Sequence, residues 1–398
     1  MTRILNIALR VRRPYLHRPI QIRHHIGAPH QPQLGLARIV NRGKQTANVD
    51  FTKMSPYQFK LHFRFSLENA QRITNLLLPQ LRLQSRGKPL SPFNMVCVAL
   101  LQLSGAAFHR INALAIGISK WCMQQSFKRV VRALFSFHQE FIKFPSRQQM
   151  IKTSTEMFDK YGLPHLYAGI DGCHIRFQKM PRGCPVGQDR QLYWCRKQFY
   201  SINACFICND KFFYHADVSW YGSAHDSRAY RRSMGRWDVE RIERETGMMI
   251  VGNSAYQLSP SLMKPFGGVT TPTEAKFNTQ LSRVRTLFTE CNFGRLKARL
   301  PILREMRHHL MMSQRIIVVC CILHNIAAML NDEVDDVTAD DPLGRPYEEQ
   351  VQMPPRVLPA PVDPLPAVGS VLESGRRKRF DYLCEFARSR NLPAPTFR

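Results

Sequence analysis

The sequence predicts a mixed α/β protein in which a helical region precedes a sheet flanked by helices. Between Phe65 and Leu134, apolar residues recur at the spacing of amphipathic helices. From Leu166 onward the period shortens, and segments rich in Ile, Val, Phe and Tyr are separated by turn residues, as strands are. Strand segments that are followed by alternating helical and strand patterns favour a mixed sheet.

The helical region is predicted over residues 65–150, and three serines mark where its helices begin. Ser66, Ser91 and Ser119 each stand directly before a helical pattern, where a serine hydroxyl caps the first backbone N–H groups. The third helix ends in basic residues that are candidates for nucleic-acid binding: Lys128, Arg129 and Arg132. Short helices with a basic last member resemble a helix-turn-helix unit, and the alternative is an ordinary bundle with a solvated basic face.

The second region, residues 151–331, is predicted to contain the sheet. Its predicted strands are 166–177, 200–208, 212–220 and 248–251. Its predicted helices are 227–245, 278–300 and 313–330.

The charge of the chain predicts a polyanionic partner. The 398 residues contain 57 Lys and Arg against 29 Asp and Glu, a net charge of +28. Eight of the acids and one base lie within residues 332–349, so the rest of the chain has 56 bases against 21 acids. Nucleic acid is the first expectation and an acidic membrane surface the second.

No run reaches the ~18 to 20 apolar residues of a membrane span. Eleven cysteines at irregular spacing indicate a reducing compartment rather than a disulfide framework.

Both ends of the chain are predicted to lie outside the folded core. Residues 1–64 read as a flexible basic arm, because residues 1–49 contain nine Arg or Lys and no acid. The same composition fits a mitochondrial transit peptide, which is the alternative. Residues 332–398 are acidic and then Pro-rich, and are predicted to be largely disordered. This tail carries the basic cluster 375–379, either a nuclear import signal or a solvated charge run.

Three acids occupy positions where an acid is awkward for packing. Asp171 follows a β-branched and aromatic strand, where a buried carboxylate without a partner costs several kcal/mol. Asp226 lies just past another strand, and Glu290 lies within the helical pattern 278–300. Carboxylates gathered from strand ends and a helix suit two-metal phosphoryl chemistry. The alternatives are that Asp226 caps the following helix and that Glu290 pairs with Arg283 or Arg285.

Five motifs, in order and with agreeing spacing, resemble the PIF/Harbinger-type DDE transposases and the nucleases derived from them. They are IDGCHI at 170–175, GSAHDSR at 222–228, GNSAYQL at 252–258, FN through Glu290 to FGRLKAR at 277–299, and CCILHNI at 320–326. The resemblance covers roughly Phe65 to Leu330.

The resemblance implies an RNase H-like fold whose catalytic and metal-binding acids are Asp171, Asp226 and Glu290. It implies Mg²⁺ or Mn²⁺ as cofactor and DNA phosphodiesters as substrate. The family pattern Gly-Asp-Ser-x-Tyr has an acid where this chain has Asn253. Asparagine keeps the carbonyl oxygen but loses the charge, which weakens a metal site. Two functions therefore follow: an active endonuclease, or a catalytically inactive DNA-binding or adaptor protein that keeps the fold.

The remaining expectations concern contacts and location. Three basic residues that follow Glu290 on the same predicted helix are candidates for phosphate contacts, with a solvated helix face as the alternative: Arg295, Lys297 and Arg299. The resemblance also implies a Myb-like partner that supplies sequence recognition. The basic cluster and the basic arm predict the nucleus as the location, with the cytoplasm as a second site.

Overall fold

The computed structural model describes residues 50–82, 90–105, 107–185, 189–269, 271–332 and 368–397. The first part of the chain forms helices α1 (Pro56–Phe63), α2 (Leu67–Leu81), α3 (Pro92–Gly105), α4 (His109–Ala115), α5 (Lys120–Ser136), α6 (His138–Phe141) and α7 (Arg147–Tyr161). The strands are β1 (Leu166–Arg176), β2 (Ser201–Cys208), β3 (Phe213–Tyr221), β4 (Met249–Val251) and β5 (Leu262–Met263). The later helices are α8 (Asp226–Arg231), α9 (Met234–Thr246), α10 (Pro272–Phe288), α11 (Glu290–Arg299), α12 (Leu310–Met329) and α13 (Val368–Ser389). Short 3₁₀ turns occur at Phe51–Lys53, Arg190–Tyr193 and Pro301–Arg304.

The strands form one mixed sheet in the order β3-β2-β1-β4-β5. The first three strands run antiparallel, whereas β4 is parallel to β1 and β5 is parallel to β4. Strand β1 is therefore central, with β2 on one side and β4 on the other. The predicted mixed sheet flanked by helices is confirmed.

Side-chain alternation along β2 explains why helices cover both faces of the sheet. Ala204, Phe206 and Cys208 pack on one face with α2, α3, α5 and α12. Cys205 and Ile207 pack on the opposite face with α8 and α9. Because successive side chains of a strand point to opposite faces, a strand with no polar face has to be buried on both.

The helical region shares the core of the sheet. Ser66 and Ser119 cap α2 and α5 as predicted, since each hydroxyl accepts a hydrogen bond from the backbone N–H three residues later. Helix α5 contacts α3 and α12, and one apolar cluster runs from α2 through α12 to strands β1 and β2. The predicted helices are present, and their helix-turn-helix arrangement stays a prediction.

Two predicted helices are each broken into two. The pattern 227–245 breaks between α8 and α9, where Ser233 caps the second helix through the Gly235 N–H. The pattern 278–300 breaks at buried Thr289, whose hydroxyl donates to the Arg285 carbonyl at 2.9 Å. A Cβ atom on Gly169 would lie 3.0 Å from the Thr289 methyl group, so the small residue on β1 lets this junction pack closely. The break places Glu290 at the start of α11.

The predicted extents of both ends are wrong in part. Residues 50–64, assigned to the basic arm, are folded, and Phe51, Phe59 and Phe63 are buried. Residues 1–49 lie outside the described residues. Helix α13 lies in the segment predicted to be largely disordered. Its buried residues Tyr382, Leu383 and Phe386 recur at helical spacing, which provides the apolar face that docks it. Residues 333–367, which contain seven of the eight acids of 332–349 and the Pro-rich stretch, lie outside the described residues.

Helix α12 is the apolar element that closes the core. Within the described parts of the chain, it alone is long and apolar enough to cross a membrane, and 78% of its apolar window is buried inside the protein. Asn325 fixes it to β3, because its side chain accepts from the Phe213 N–H at 2.9 Å and donates to the Phe213 carbonyl at 2.8 Å. Burial of this kind is typical of a core helix.

Candidate active site

Asp171 lies on the central strand β1, and its side chain is 13% exposed. Its carboxylate accepts hydrogen bonds from the Gly172 N–H at 2.9 Å, Asn253 Nδ2 at 3.1 Å and Arg285 Nη1 at 3.1 Å. Burial is the main cause that raises the pKa of Asp171 to about 6. The Arg285 charge and the Gly172 N–H oppose this increase, whereas nearby acids add to it: Asp226 and Glu290.

Asp226 is the first residue of α8 and lies against β1. Its Oδ1 accepts from Asn203 Nδ2 at 2.7 Å, and the same amide group donates to the Ala224 carbonyl at 2.8 Å. A Cβ atom on Gly172 would lie 2.2 Å from that Oδ1, so only glycine lets the carboxylate approach the strand. The alternative that Asp226 caps its helix is wrong, because His225 is the N-cap and no side-chain hydrogen bond caps α8.

Asn253 faces Asp171 because of the parallel pairing of β4 with β1. Gly169 is paired with Val251, and two residues further along both strands Asp171 and Asn253 meet. The Asn253 amide nitrogen donates to Asp171, and its carbonyl oxygen accepts from the Ala255 N–H at 2.9 Å. Both polar atoms of the side chain are therefore engaged within the protein.

Glu290 is the first residue of α11, and its side chain is 48% exposed. Arg285 Nη2 lies 2.7 Å from Glu290 Oε1, and the Thr286 hydroxyl donates to Oε2 at 3.3 Å. Of the two arginines named as alternative partners of this acid, Arg285 makes the contact. The sequence did not indicate that the same guanidinium also reaches Asp171.

Asn203 is a site residue that the sequence reasoning missed. It is buried within β2, and its Oδ1 has no hydrogen-bond partner among the described residues. An asparagine inside the apolar segment 200–208 was the available signal, because a buried amide needs partners. Its role is to hold the Asp226 carboxylate beside β1.

His174 lies close to Asp226 but is held neutral at pH 7. Burial lowers the pKa of His174 to about 4, although the Asp226 charge opposes this. Its Nδ1 lies 3.0 Å from the Ser201 hydroxyl. His174 therefore supports the packing between β1 and β2.

The three basic residues of α5 line a cavity of about 370 Å³ with Gln80, Gln125 and Ser136: Lys128, Arg129 and Arg132. Lys128 and Arg132 are exposed, whereas Arg129 is half-buried. The Arg129 Nη1 atom is buried and has no hydrogen-bond partner within the part of the chain that the structure describes. The arrangement suits an anionic ligand.

The basic residues of α11 do not form one surface. Arg299 is buried and donates to the carbonyls of Arg64 and Asp332, and its guanidinium packs over the Phe65 ring. The prediction that Arg299 contacts phosphate is therefore wrong, because helical position alone did not reveal which face is buried. Arg295 is exposed and donates to the Asp210 carbonyl, and Lys297 is half-buried.

Hard divalent ions take oxygen ligands, and the donor chemistry of Asp171, Asp226 and Glu290 suits them. Across the described ranges, however, no three His, Cys, Asp or Glu side chains lie close enough together to hold an ion as they stand. Arg285 lies between two of the acids, so a cation of the protein stands among these donors.

Comparison with known proteins shows which proteins the chain is similar to. Residues 170–325 match the family described as DDE superfamily endonuclease, and the match contains all four site positions. The chain is 26% identical over 321 residues to the Homo sapiens protein named "Putative nuclease HARBI1", covering 79% of this chain and 88% of that protein. The Mus musculus protein of the same name is 27% identical over 327 residues, which is 78% of this chain and 87% of the relative. "Protein ALP1-like" of Arabidopsis thaliana is 27% identical over 284 residues, 66% of each chain. No solved structure matches the chain.

Proposed function

We propose that the chain is a Harbinger transposase-derived nuclease of the DDE superfamily, like the relatives it resembles, and that it hydrolyses DNA phosphodiester bonds. One observation carries the proposal: Asp226 of α8 and Glu290 of α11 lie close enough to Asp171 of β1, inside the matched domain, to interact electrostatically with its carboxylate. The order of three antiparallel strands followed by two parallel strands supports the RNase H-like architecture that the resemblance implied.

The cofactor we propose is Mg²⁺ or Mn²⁺, held by Asp171, Asp226 and Glu290. A bound divalent ion neutralises charge on the reacting phosphate and makes a water more acidic. The chain itself positions the donors. Asn203 and Gly172 orient Asp226, and the half-exposed Glu290 lies where the site meets solvent.

The cavity on α5 is the surface that we propose for the DNA backbone. Arginine and lysine side chains bind phosphate oxygens, and each phosphate they neutralise releases counterions.

Replacing Lys128 and Arg132 with Gln should weaken DNA binding and make its salt dependence shallower. Fluorescence anisotropy across a salt series measures both effects, and an unchanged slope would contradict the proposal. Arg295 and Lys297 remain weaker candidates for the same role.

A nicking assay tests the function directly. Supercoiled DNA is incubated with the full chain and Mg²⁺, Mn²⁺ or a chelator. We expect ion-dependent nicking that Asp171→Ala lowers by roughly 100-fold or more. Glu245→Gln is the matched control, since Glu245 is an exposed acid on α9 that pairs with Arg241 and is not among the groups that shift the pKa of Asp171. A wild type that binds DNA without nicking it would favour the inactive adaptor instead, and an Asp171→Ala variant as active as the wild type would exclude this site.

For location and partners we propose the nucleus and a Myb-like recognition partner. In the basic cluster 375–379, Arg376 and Arg377 are exposed, whereas Lys378 pairs with Glu243 at 2.5 Å and Arg379 lies over the Phe266 ring. Two of its bases therefore remain accessible to an import receptor. A fluorescent fusion of the full chain, with and without Gln at 376 and 377, tests the location. A cytoplasmic wild type would overturn it, and co-precipitation with Myb-like proteins tests the partner.

A further inference from the structure

One guanidinium connects two of the acids of the candidate active site. Arg285 Nη1 lies 3.1 Å from Asp171 Oδ2, and Nη2 lies 2.7 Å from Glu290 Oε1. Arg285 is in the last turn of α10, and Glu290 is the first residue of α11. The junction between the two helices at Thr289 brings these two side chains together. The Arg285 side chain is 20% exposed and Asp171 13%, so this half of the bridge is largely shielded from solvent, whereas the Glu290 end is 48% exposed.

The other groups of the site are also engaged within the protein. Asp226 accepts from Asn203, and Asn253 donates to Asp171 rather than offering it a carbonyl oxygen. A divalent ion at Asp171 and Glu290 would therefore have to displace the guanidinium. Arginine stays protonated at any working pH, so its charge cannot be removed by deprotonation.

Arginine binds phosphate with the same planar fork that it presents to carboxylates. A DNA phosphate could therefore exchange with the two carboxylates at little cost in hydrogen bonding. A DNA strand has room to bind nearby. A cavity of about 690 Å³ runs along the exposed side of α10 and is lined by Arg283, Thr286 and Cys291 among others. Thr286 also contacts Glu290, so this cavity adjoins the bridge.

We propose that Arg285 closes the site to divalent ions until a phosphate of bound DNA draws its guanidinium away, so that DNA and metal bind cooperatively. The proposal rests on the proposed function for its choice of DNA. Release of Arg285 leaves Asp171 and Glu290 with uncompensated charge, which attracts the ion. Because coupling between two ligands is reciprocal, the ion also strengthens DNA binding.

Mn²⁺ binding to the full chain tests this coupling without relying on cleavage. Electron paramagnetic resonance measures free Mn²⁺ with and without a short DNA duplex, and the Mn²⁺ bound by the duplex alone is subtracted. We expect DNA to raise the Mn²⁺ affinity of the wild type by about tenfold. Arg285→Gln should bind Mn²⁺ tightly without DNA and lose most of the coupling. Arg244→Gln is the matched control, because it removes an equal charge from an exposed position in the last turn of α9, outside the cavity, and should keep the DNA-free affinity and the coupling of the wild type.

Arg285→Lys provides a second variant in case Arg285→Gln fails to fold. Lysine keeps the charge but cannot bridge two carboxylates with a planar fork, so DNA-free Mn²⁺ affinity should rise. Equal Mn²⁺ affinity of the wild type with and without DNA, or no increase in either Arg285 variant, would overturn the proposal. Cooperative binding of Mn²⁺ and DNA without any nicking would support the proposed role of Arg285 and reject the nuclease function. Nicking without cooperative binding would support the nuclease function and reject the proposed role of Arg285.

Discussion

At the scale of single residues, Asp171 stands out because its charge is costly to the folded protein. Burial and two neighbouring acids raise the pKa of its carboxyl to about 6, against 3.8 in the absence of these influences. The folded state therefore holds the Asp171 proton to a higher pH than the unfolded state does. Stability from this group is present below about pH 4 and is lost as the pH rises through 6. At pH 7 the ionised carboxylate, which the proposed metal site needs, therefore lowers the free energy of unfolding.

Asp171→Asn should therefore stabilise the protein. At pH 7 we expect the free energy of unfolding to rise by about 1–3 kcal/mol, since each pKa unit corresponds to ~1.4 kcal/mol. At pH 4 the difference between variant and wild type should be much smaller, because the Asp171 carboxyl of the folded protein is then protonated and uncharged. Urea unfolding at the two pH values measures the effect. A variant less stable than the wild type at pH 7 would mean that the Arg285 ion pair outweighs burial.

Asn253→Asp should lower the stability of the metal-free protein and raise its affinity for a divalent ion. It replaces the amide that donates to Asp171 at 3.1 Å with a second carboxylate, so the variant should melt at a lower temperature in a chelator. Its Mn²⁺ affinity should rise by about tenfold or more, because a full charge ~4 Å from an ion is worth several kcal/mol at a dielectric of ~20. Asn253→Ala removes the same hydrogen bond without adding charge and should not gain affinity. Equal calorimetric affinity in all three forms would show that position 253 does not contact the ion.

At the scale of elements, the glycines of β1 decide how closely its neighbours approach. Gly172→Ala would place a methyl group on the Asp226 carboxylate and the Asn203 amide. We expect nicking to fall by roughly 10- to 100-fold while the fold is kept, since a displaced reacting group loses about that much. Gly294→Ala is the control, because nothing lies within 4 Å of the added methyl group on α11. Nicking assays and melting curves of both variants test this, and full activity in Gly172→Ala would contradict the assigned position of Asp226.

Local signals predicted much of the architecture, because caps and strand composition act over a few residues. Ser66 and Ser119 begin their helices as expected. The break at Thr289 was missed because the apolar spacing continues across it, whereas the close approach of Thr289 to Gly169 is a tertiary contact that spacing does not contain. The acids of the site were found by motif, whereas the bridge formed by Arg285 depends on side-chain directions that spacing does not contain. The predicted phosphate contact of Arg299 was wrong for the same reason, because spacing does not show that its side chain points into the core.

At the scale of the whole molecule, helix α13 completes a third apolar cluster. Tyr382, Leu383 and Phe386 pack with residues of α7, β4 and α10, and the Tyr382 hydroxyl donates to the Pro164 carbonyl. Gly375 makes the docking possible, because a Cβ atom there would lie 3.0 Å from the Ser259 backbone. The helix is therefore an integral part of the folded domain.

Phe386→Ala should destabilise the whole protein. Removal of a buried phenylalanine typically costs about 3–5 kcal/mol, because transfer energy is lost and a cavity remains. Val371→Ala on the same helix is the control, since Val371 is 45% exposed and should change stability by less than about 0.5 kcal/mol. Guanidinium unfolding of both variants measures the difference. A small effect of Phe386→Ala would show that α13 is only loosely docked.

The late position of α13 also bears on synthesis and quality control. Every acid of the site, from Asp171 to Glu290, leaves the ribosome before residue 368 does. Until residues 368–397 follow, the apolar surfaces of α7 and α10 that they cover stay open to chaperones and proteases, which act on such surfaces. A chain stopped after residue 332 would thus contain the complete set of acids and still lack the helix that covers this apolar surface. Synthesis of α13 therefore has to be complete before the folded domain, and with it the proposed nuclease activity, can appear.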